Sequence, residues 1–276
     1  KRMMPTDGTP NTGSPQETGY AHERQEIDRI YRADFPGHTD NARWFMDQLN
    51  APKTIAYTFQ AHQAVGDAQR MSKFKFRVQA YANMLNVDPD HHTQIVLNGH
   101  KIYDAFWDGR IALTDSVLFL STLIKEGENL VQFIGPGDTG SFLDWILIDW
   151  FEVEYWRKNQ AVDEQIAFRT DGETIRIFGF KTPPTIYDVT DPYQVRYIVN
   201  ADLQGDGAVF SLDAPDIRAL IAVGNAALKP ETIYRSSSSI LRRLRQQCDY
   251  LFITKEEFMD AVQPLADWHR RRGLDV

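Results

Sequence analysis

Apolar and polar residues alternate along most of the chain after Trp44, with the period of two that is typical of half-buried β-strands. In the segment KFKFRVQAYA, Phe74, Phe76 and Val78 fall on one face, while lysine, arginine and glutamine fall on the other. The pattern predicts eight strands before residue 160: Arg43–Leu49, Thr54–Phe59, Lys73–Ala82, Thr93–Leu97, Lys101–Trp107, Ser116–Leu120, Asn129–Ile134 and Trp145–Tyr155.

The last of these strands begins with apolar residues on both faces and alternates from Phe151 onward. Such a strand is expected to be covered on both sides at its start and half exposed towards its end. Asn98-Gly99 is a strong hairpin signal, because a type I′ turn needs positive φ at both central residues. Eight antiparallel strands of this kind predict a jelly-roll β-sandwich over residues 41–160.

A further series of short apolar segments predicts a small β domain over residues 161–235. Asp171-Gly172 and Asp206-Gly207 both predict tight hairpin turns. The expected strands are Ile166–Thr170, Thr174–Phe180, Thr185–Val189, Gln194–Asn200, Gly207–Leu212 and Arg218–Val223, ending near Lys229-Pro230.

The two ends of the chain differ from this β-rich middle. Residues 1–18 are rich in Pro, Gly, Ser and Thr, and His22–Arg32 predicts a short helix, so residues 1–40 are interpreted as a linker with a short helix. Residues 236–276 predict the beginning of an α/β domain in strand–helix–strand order. Its expected parts are a serine-capped helix from Ser236, a buried strand Asp249–Thr254, a helix Lys255–Arg272 kinked or restarted at Pro264 and ended by Gly273, and a strand from Leu274.

The net charge of −8 argues against nucleic acid or an anionic membrane as the partner, because both favour a basic face. No apolar run approaches the roughly 18 residues that span a bilayer. The single cysteine, Cys248, excludes an internal disulfide and a cysteine-based zinc site. The chain starts at Lys1 without a signal peptide, so we expect a fragment or a processed form.

Three aspartates are candidate calcium ligands. Asp88 and Asp90 flank a proline, and Asp138 of the segment GPGDTG is expected near them. Calcium prefers six to eight oxygen ligands, which such a loop partly supplies. The alternative is a polar loop whose aspartates accept local backbone N–H groups. Adjacent His91 and His92 point to opposite faces of a strand and do not suit one metal, so no cofactor other than calcium is expected.

Trp107 and Asp108 are the candidate ligand-binding pair, because an exposed tryptophan stacks on a sugar ring. The alternative is that Trp107, like Trp44, Trp145, Trp150 and Trp156, is a core residue between the sheets. GPGDTG is interpreted as a turn between strands, since a phosphate cradle needs a helix after the loop.

The segment CDYLFITKEEFMDAVQPLADWHRRRGLDV resembles the entry strand and first helix of the catalytic domain of the gingipain family of cysteine peptidases. Upstream, DPDHHTQIVLNG, the Trp107–Gly109 tripeptide, EGENLVQF and PGDTG resemble the β-sandwich that precedes the peptidase in large bacterial members. YDVTDP, residues Tyr187–Pro192, resembles the small β domain between them.

This resemblance implies a non-catalytic accessory region of a bacterial peptidase that is extracellular or at the cell surface. The family's catalytic histidine and cysteine lie on later strand ends, so the chain itself is expected not to be an enzyme, while the resemblance implies a parent that is a cysteine endopeptidase. Cys248 precedes the first strand of the α/β domain and is not a candidate nucleophile. The implied partner is the chain's own downstream peptidase domain, with protein substrate as a further partner. The rival function is a carbohydrate-binding jelly-roll module with a glycan partner.

Overall fold

A computed structural model of the chain describes residues 3–32, 43–212, 216–225 and 248–276. The chain divides into two compact units, Lys1–Ala227 and Leu228–Val276. The fold is mainly β, as predicted, with several sheets. No helix in these described ranges is long and apolar enough to cross a bilayer.

The described residues of the first unit form nineteen strands and one short 3₁₀ helix, Ser121–Leu123. The strands are β1 (Met4–Asp7), β2 (Thr18–Glu26), β3 (Ile30–Tyr31), β4 (Trp44–Phe45), β5 (Asp47–Asn50), β6 (Lys53–Ala61), β7 (Met71–Ala80), β8 (His91–Leu97), β9 (His100–Trp107), β10 (Ala112–Leu120), β11 (Gly127–Gly135), β12 (Trp145–Lys158), β13 (Gln165–Thr170), β14 (Thr174–Ile177), β15 (Thr185–Asp188), β16 (Arg196–Val199), β17 (Asp202–Gln204), β18 (Gly207–Ser211) and β19 (Arg218–Val223).

One large sheet runs through the whole first unit in the order β1-β16-β15-β19-β13-β2-β12-β7-β10, and β5 also pairs with β12. A four-stranded sheet, β6-β11-β8-β9, packs against its second half, and a three-stranded sheet, β14-β18-β17, accompanies its first half. The remaining pair is β3-β4.

Two separate hydrophobic clusters fill the spaces between these sheets. The first contains Phe74, Phe76, Phe133 and Phe151, all fully buried, and belongs to the sandwich built by the four-stranded sheet. The rings of Phe74 and Phe151 stack at 5.5 Å between their centres, across the β7–β12 pair. This cluster contains the inward face that the alternation in KFKFRVQAYA predicts.

The second cluster lies among β13, β14, β15, β18 and β19. Ile175, Ile177 and Phe210 are its most buried members. Both clusters therefore have one wall in the same large sheet, and strand β2 joins the two halves by pairing with β12 and with β13.

The N-terminal segment corrects the prediction of a linker with a short helix. In place of a helix over His22–Arg32, β2 extends to Glu26 and β3 follows. β2 pairs with β12 over nine residues, so tertiary hydrogen bonding overrides the weak helical periodicity of the segment. Residues 33–40, the last part of the predicted linker, lie outside the described ranges.

The hairpin turns separate into one confirmed prediction and two corrected ones. Asn98 and Gly99 have φ of +50° and +86°, as a type I′ turn requires. Asp171-Gly172 forms no hairpin, because β13 pairs with β19 while β14 pairs with β18 in another sheet. The turn predicted at Asp206-Gly207 lies one residue earlier, with Gln204 opposite Gly207.

The second unit contains a short 3₁₀ helix, Glu256–Phe258, and the helix α1, Met259–Arg271. Pro264 lies inside α1 without ending it, and Gly273 at φ +85° provides the predicted C-terminal stop. Asp249–Thr254 does not form the predicted buried strand, because none of the unit's described segments pairs with it as a ladder. The predicted helix from Ser236 and the chain near Lys229 lie outside the described residues.

Gly207 tests the packing of the second cluster. A Cβ at this position would lie 1.9 Å from the backbone oxygen of Ile177, so Gly207→Ala forces the β14–β18 pair apart. We expect the free energy of unfolding in urea to fall by about 1–3 kcal/mol. The control is Gly66→Ala, whose Cβ would meet Thr122 at 3.7 Å and should change stability by less than about 1 kcal/mol. Equal effects of the two variants would contradict this packing.

Candidate functional site

The predicted ligand residues gather at one end of the first sandwich, where the loop before β8 meets the segment before β12. Asp90 is fully buried there. Its Oδ2 accepts the backbone N–H of Met84 at 2.7 Å, and its Oδ1 accepts that of Gly109 at 3.0 Å. The Asp90 carboxylate therefore fixes two loops, which is the role of backbone acceptor that we gave as the alternative to calcium binding.

The other two calcium candidates have different surroundings. Asp88 is exposed, and Oδ1 of Asp138 lies 2.7 Å from Nδ1 of His92. Nowhere in the described ranges do three or more His, Cys, Asp or Glu side chains come together in a group that suits a metal ion. Calcium binding by Asp88, Asp90 and Asp138 therefore remains a prediction from the sequence alone.

His91 and His92 point to opposite faces of β8, as the strand period predicts. The His91 ring is fully buried beside Trp107, and its Nδ1 lies 2.9 Å from Oδ1 of Asp144. The His92 ring lies on the outer face, stacked on Phe106 with 3.8 Å between the ring centres. The two rings therefore serve different sets of partners.

The His92 ring lies between two carboxylates. Its Nε2 is 2.7 Å from Oδ1 of Asp104, and its Nδ1 is equally far from Asp138. Burial by itself would lower the pKa of His92, but the hydrogen bonds and charges of both aspartates outweigh it and raise that pKa. The bond to His92, with that from Lys101, lowers the pKa of Asp104 to about 2.

A sugar site at Trp107 requires an exposed indole ring, but the structure buries Trp107 and exposes the neighbouring Phe106. Only 8% of Trp107 is exposed, and its Nε1 donates to Oγ1 of Thr93 at 3.0 Å. Phe106 is 54% exposed, and Asp108 is exposed as well. The strand period signals that only one of two adjacent rings faces the core, but it does not say which.

The second unit presents apolar side chains on two sides of one extended segment. Tyr250 and Phe252 lie against His269 of α1, with ring centres 4.1 and 6.2 Å away. Leu251 and Ile253 point the other way and are largely exposed. The only cysteine of the sequence, Cys248, is also exposed.

The end of this unit returns to its beginning. The backbone N–H groups of Asp249 and Tyr250 donate to the carbonyl oxygen of Asp275 at 2.8 and 3.0 Å. The N–H of Asp275 donates to Oδ2 of Asp249 at 2.9 Å. The starts of the two predicted strands are therefore side by side, as in a parallel strand–helix–strand unit.

His92 makes the stability of this end of the sandwich depend on pH. Because the folded-state pKa of His92 is raised, its contribution is complete below the ordinary value of 6.5 and is lost as pH rises through the folded pKa. We expect His92→Gln to lower the free energy of unfolding by about 1–3 kcal/mol near pH 6 and by less at higher pH. Urea unfolding at a series of pH values measures the difference. His100→Gln, on an exposed site of the same hairpin, should show no such trend.

A substitution of Asp90 distinguishes calcium binding from the acceptance of backbone N–H groups as the role of its carboxylate. Asp90→Asn places amide hydrogens against a backbone N–H, so the free energy of unfolding should fall by about 1–3 kcal/mol. Thermal unfolding with millimolar calcium and with a chelator should give the same midpoint for the parent chain. A calcium-dependent rise that Asp90→Asn removes would establish the metal site instead.

No protein-family model matches the sequence, and no curated protein matches it significantly. Among solved structures, the crystal structure of dimeric latent PorU from Porphyromonas gingivalis is similar over 99% of this chain, with a TM-score of 0.66 and 15% sequence identity. The match covers 26% of the PorU chain, so the present chain spans about a quarter of that protein.

Two carbohydrate-binding modules align less well. One is the CBM36-1 domain of a xylanase from the hindgut metagenome of Trinervitermes trinervoides, with 12% identity, 48% of this chain, 96% of the module and a TM-score of 0.32. The other is a family 35 module from an environmental isolate, with 14% identity, 52% of this chain, 90% of the module and a TM-score of 0.29. The fold of this chain is therefore similar to that of a segment of PorU.

Proposed function

We propose that this chain is a non-catalytic accessory region of a secreted bacterial cysteine peptidase related to the gingipains. The first unit has two β lobes: the sandwich with the four-stranded sheet, and the half of the unit with the three-stranded sheet. These lobes position the peptidase domain, and the second unit is the first strand and helix of that domain. The similarity to PorU over nearly the whole chain supports a place within a larger protein of this architecture. The sequence resemblance of residues 248–276 supplies the peptidase class.

The observation that carries this proposal is the pair of apolar faces on residues 250–253. A strand in the middle of a parallel sheet is covered by helices on both sides and is apolar on both faces. Tyr250 and Phe252 already lie against α1, so Leu251 and Ile253 are the face that a further layer would cover. The hydrogen bonds between Asp275 and Asp249 support a next strand that would lie beside the first.

In this arrangement the chemistry belongs to residues beyond those of this chain. Catalytic side chains of open α/β sheets gather at the carboxyl ends of the strands, whereas Cys248 precedes the first strand. The β lobes contribute a rigid support and a docking surface for the peptidase domain or its protein substrate. The expected location is the cell surface or the extracellular space.

The direct experiment is a comparison of hydrolysis by two polypeptides. The sequence of the reading frame past the Val276 codon should continue with alternating strands and helices, with a histidine and later a cysteine at strand ends. A polypeptide that includes them should cleave a peptide library, and the present chain should not. Continuation into another β domain would refute the proposal.

The rival function is a carbohydrate-binding module in which Trp107 stacks on the sugar, and the burial of Trp107 argues against it. A buried indole that donates to Thr93 offers no face to a sugar. The structure thus gives the accessory role more support than sugar binding at Trp107 and Asp108.

Ile253 tests whether the open face of the second unit is a buried face of a larger domain. Ile253 is 91% exposed, so Ile253→Asp should change the free energy of unfolding of this chain by less than about 0.5 kcal/mol. In a polypeptide that continues past Val276, the same change would bury an unpaired charge and should cost about 3–5 kcal/mol.

The matched control is Leu85→Asp, because Leu85 is also 91% exposed but lies in the first unit. It should be equally mild in both polypeptides. Urea unfolding of the four variants and their two parent polypeptides gives the comparison. An Ile253→Asp effect that is small in the longer polypeptide would contradict the proposed role of this face.

A further inference from the structure

The outer face of the four-stranded sheet differs in chemistry from the outer face of the large sheet. On the large sheet, Lys73 and Lys75 lie opposite Glu154 and Glu152, and Arg24 pairs with Glu152. That face is a network of charges, which water solvates well. The four-stranded sheet instead presents mainly uncharged side chains, namely amides, hydroxyls and apolar groups, although a quarter of the whole sequence is charged.

Strand register gives the composition of this neutral face. Gln94 of β8 is next to Ile134 of β11, which is next to Thr54 of β6. In the adjoining rows, Gln132 is next to Val96 and Ala56, and Leu130 is next to Thr58. Charged groups lie at its rim, where Lys101 pairs with Asp104 and Glu128 lies opposite Gln60.

Phe106 stands at one end of this face with a fixed orientation. One side of its ring lies on the His92 imidazole at an angle of 19° between the planes, and more than half of the residue is exposed. His92 is held in turn by Asp104 and Asp138. A ring that is already fixed loses little rotational freedom when a ligand stacks on it.

We propose that this face binds a neutral oligosaccharide chain, with Phe106 as the stacking platform and Gln94, Gln132 and Thr58 as hydrogen-bonding partners. One side of a pyranose ring is apolar and suits an aromatic ring, while its hydroxyl groups suit amides and hydroxyls. The chain's net charge of −8 disfavours an acidic polysaccharide. The inference does not depend on the proposed peptidase role.

The same composition argues against a protein partner on this face. The fully buried centre of a protein interface is enriched in aromatic side chains and methionine. Here the central positions are occupied by Gln94, Gln132 and Ala56, and the larger apolar groups are aliphatic: half-buried Ile134 and Val96, and Leu130, which is 38% exposed. Amides and hydroxyls that alternate with aliphatic groups match a sugar chain, whose rings have an apolar side and a hydroxyl-bearing edge, better than an apolar protein surface.

The test is a titration of the isotopically labelled chain, followed by NMR, with cellohexaose, xylohexaose and maltohexaose at millimolar concentrations. The proposal expects at least one probe to saturate and to shift the signals of Gln94, Gln132 and Thr58. Phe106→Ala should weaken that binding about tenfold, and Phe106→Trp should preserve it. Thr58→Arg, an exposed site at the other end of the face, should also block it.

Tyr193→Ala provides the control, because Tyr193 is 90% exposed in the second lobe. It should bind the probe as the parent chain does. Absence of binding by all three probes would overturn the proposal, as would shifts confined to the outer face of the large sheet around Lys75 and Glu152, or undiminished binding by Phe106→Ala. Hydrolysis by a longer polypeptide is a separate readout, so failure of sugar binding leaves the accessory role standing.

Discussion

The pairing of β12 is the interaction on which the rest of the first unit depends. This strand pairs with β7 on one side and with β5 and β2 on the other, so its backbone hydrogen bonds hold together the half of the large sheet that belongs to the sandwich. Its apolar start is buried on both faces, with Ile146 and Ile148 in the first cluster and Leu147 against Phe45. Strand β2 pairs with both β12 and β13, so the large sheet continues from β12 into the second half of the unit.

The same arrangement determines where polar chemistry is placed. Buried carboxylates collect at the end of the sandwich, where Asp90 and Asp144 satisfy backbone and imidazole N–H groups that a core would otherwise leave unpaired. Outside, Asp104 and Asp138 hold His92, and His92 holds Phe106. These contacts fix the orientation of the exposed Phe106 ring on the surface of the sandwich.

Period-two alternation predicted the central strands well, since the inward set of KFKFRVQAYA is buried as expected. It could not predict pairing partners, so Asp171-Gly172 suggested a hairpin where β13 and β14 belong to different sheets. The helix expected over His22–Arg32 failed for a related reason, because pairing with β12 comes from residues far along the chain. The candidate site shows the same limit. The sequence suggested Trp107 as an exposed ring, but in the folded chain Trp107 is buried and its neighbour Phe106 is exposed.

We propose that residues 250–253 form the first strand of a parallel sheet in a polypeptide that continues past Val276. Amide hydrogen exchange of Leu251, Phe252 and Ile253 tests it most directly. The account predicts fast exchange in this chain, where none of the described segments of the unit pairs with them as a ladder, and strong protection in a polypeptide that continues past Val276. Equally fast exchange in both polypeptides would contradict it.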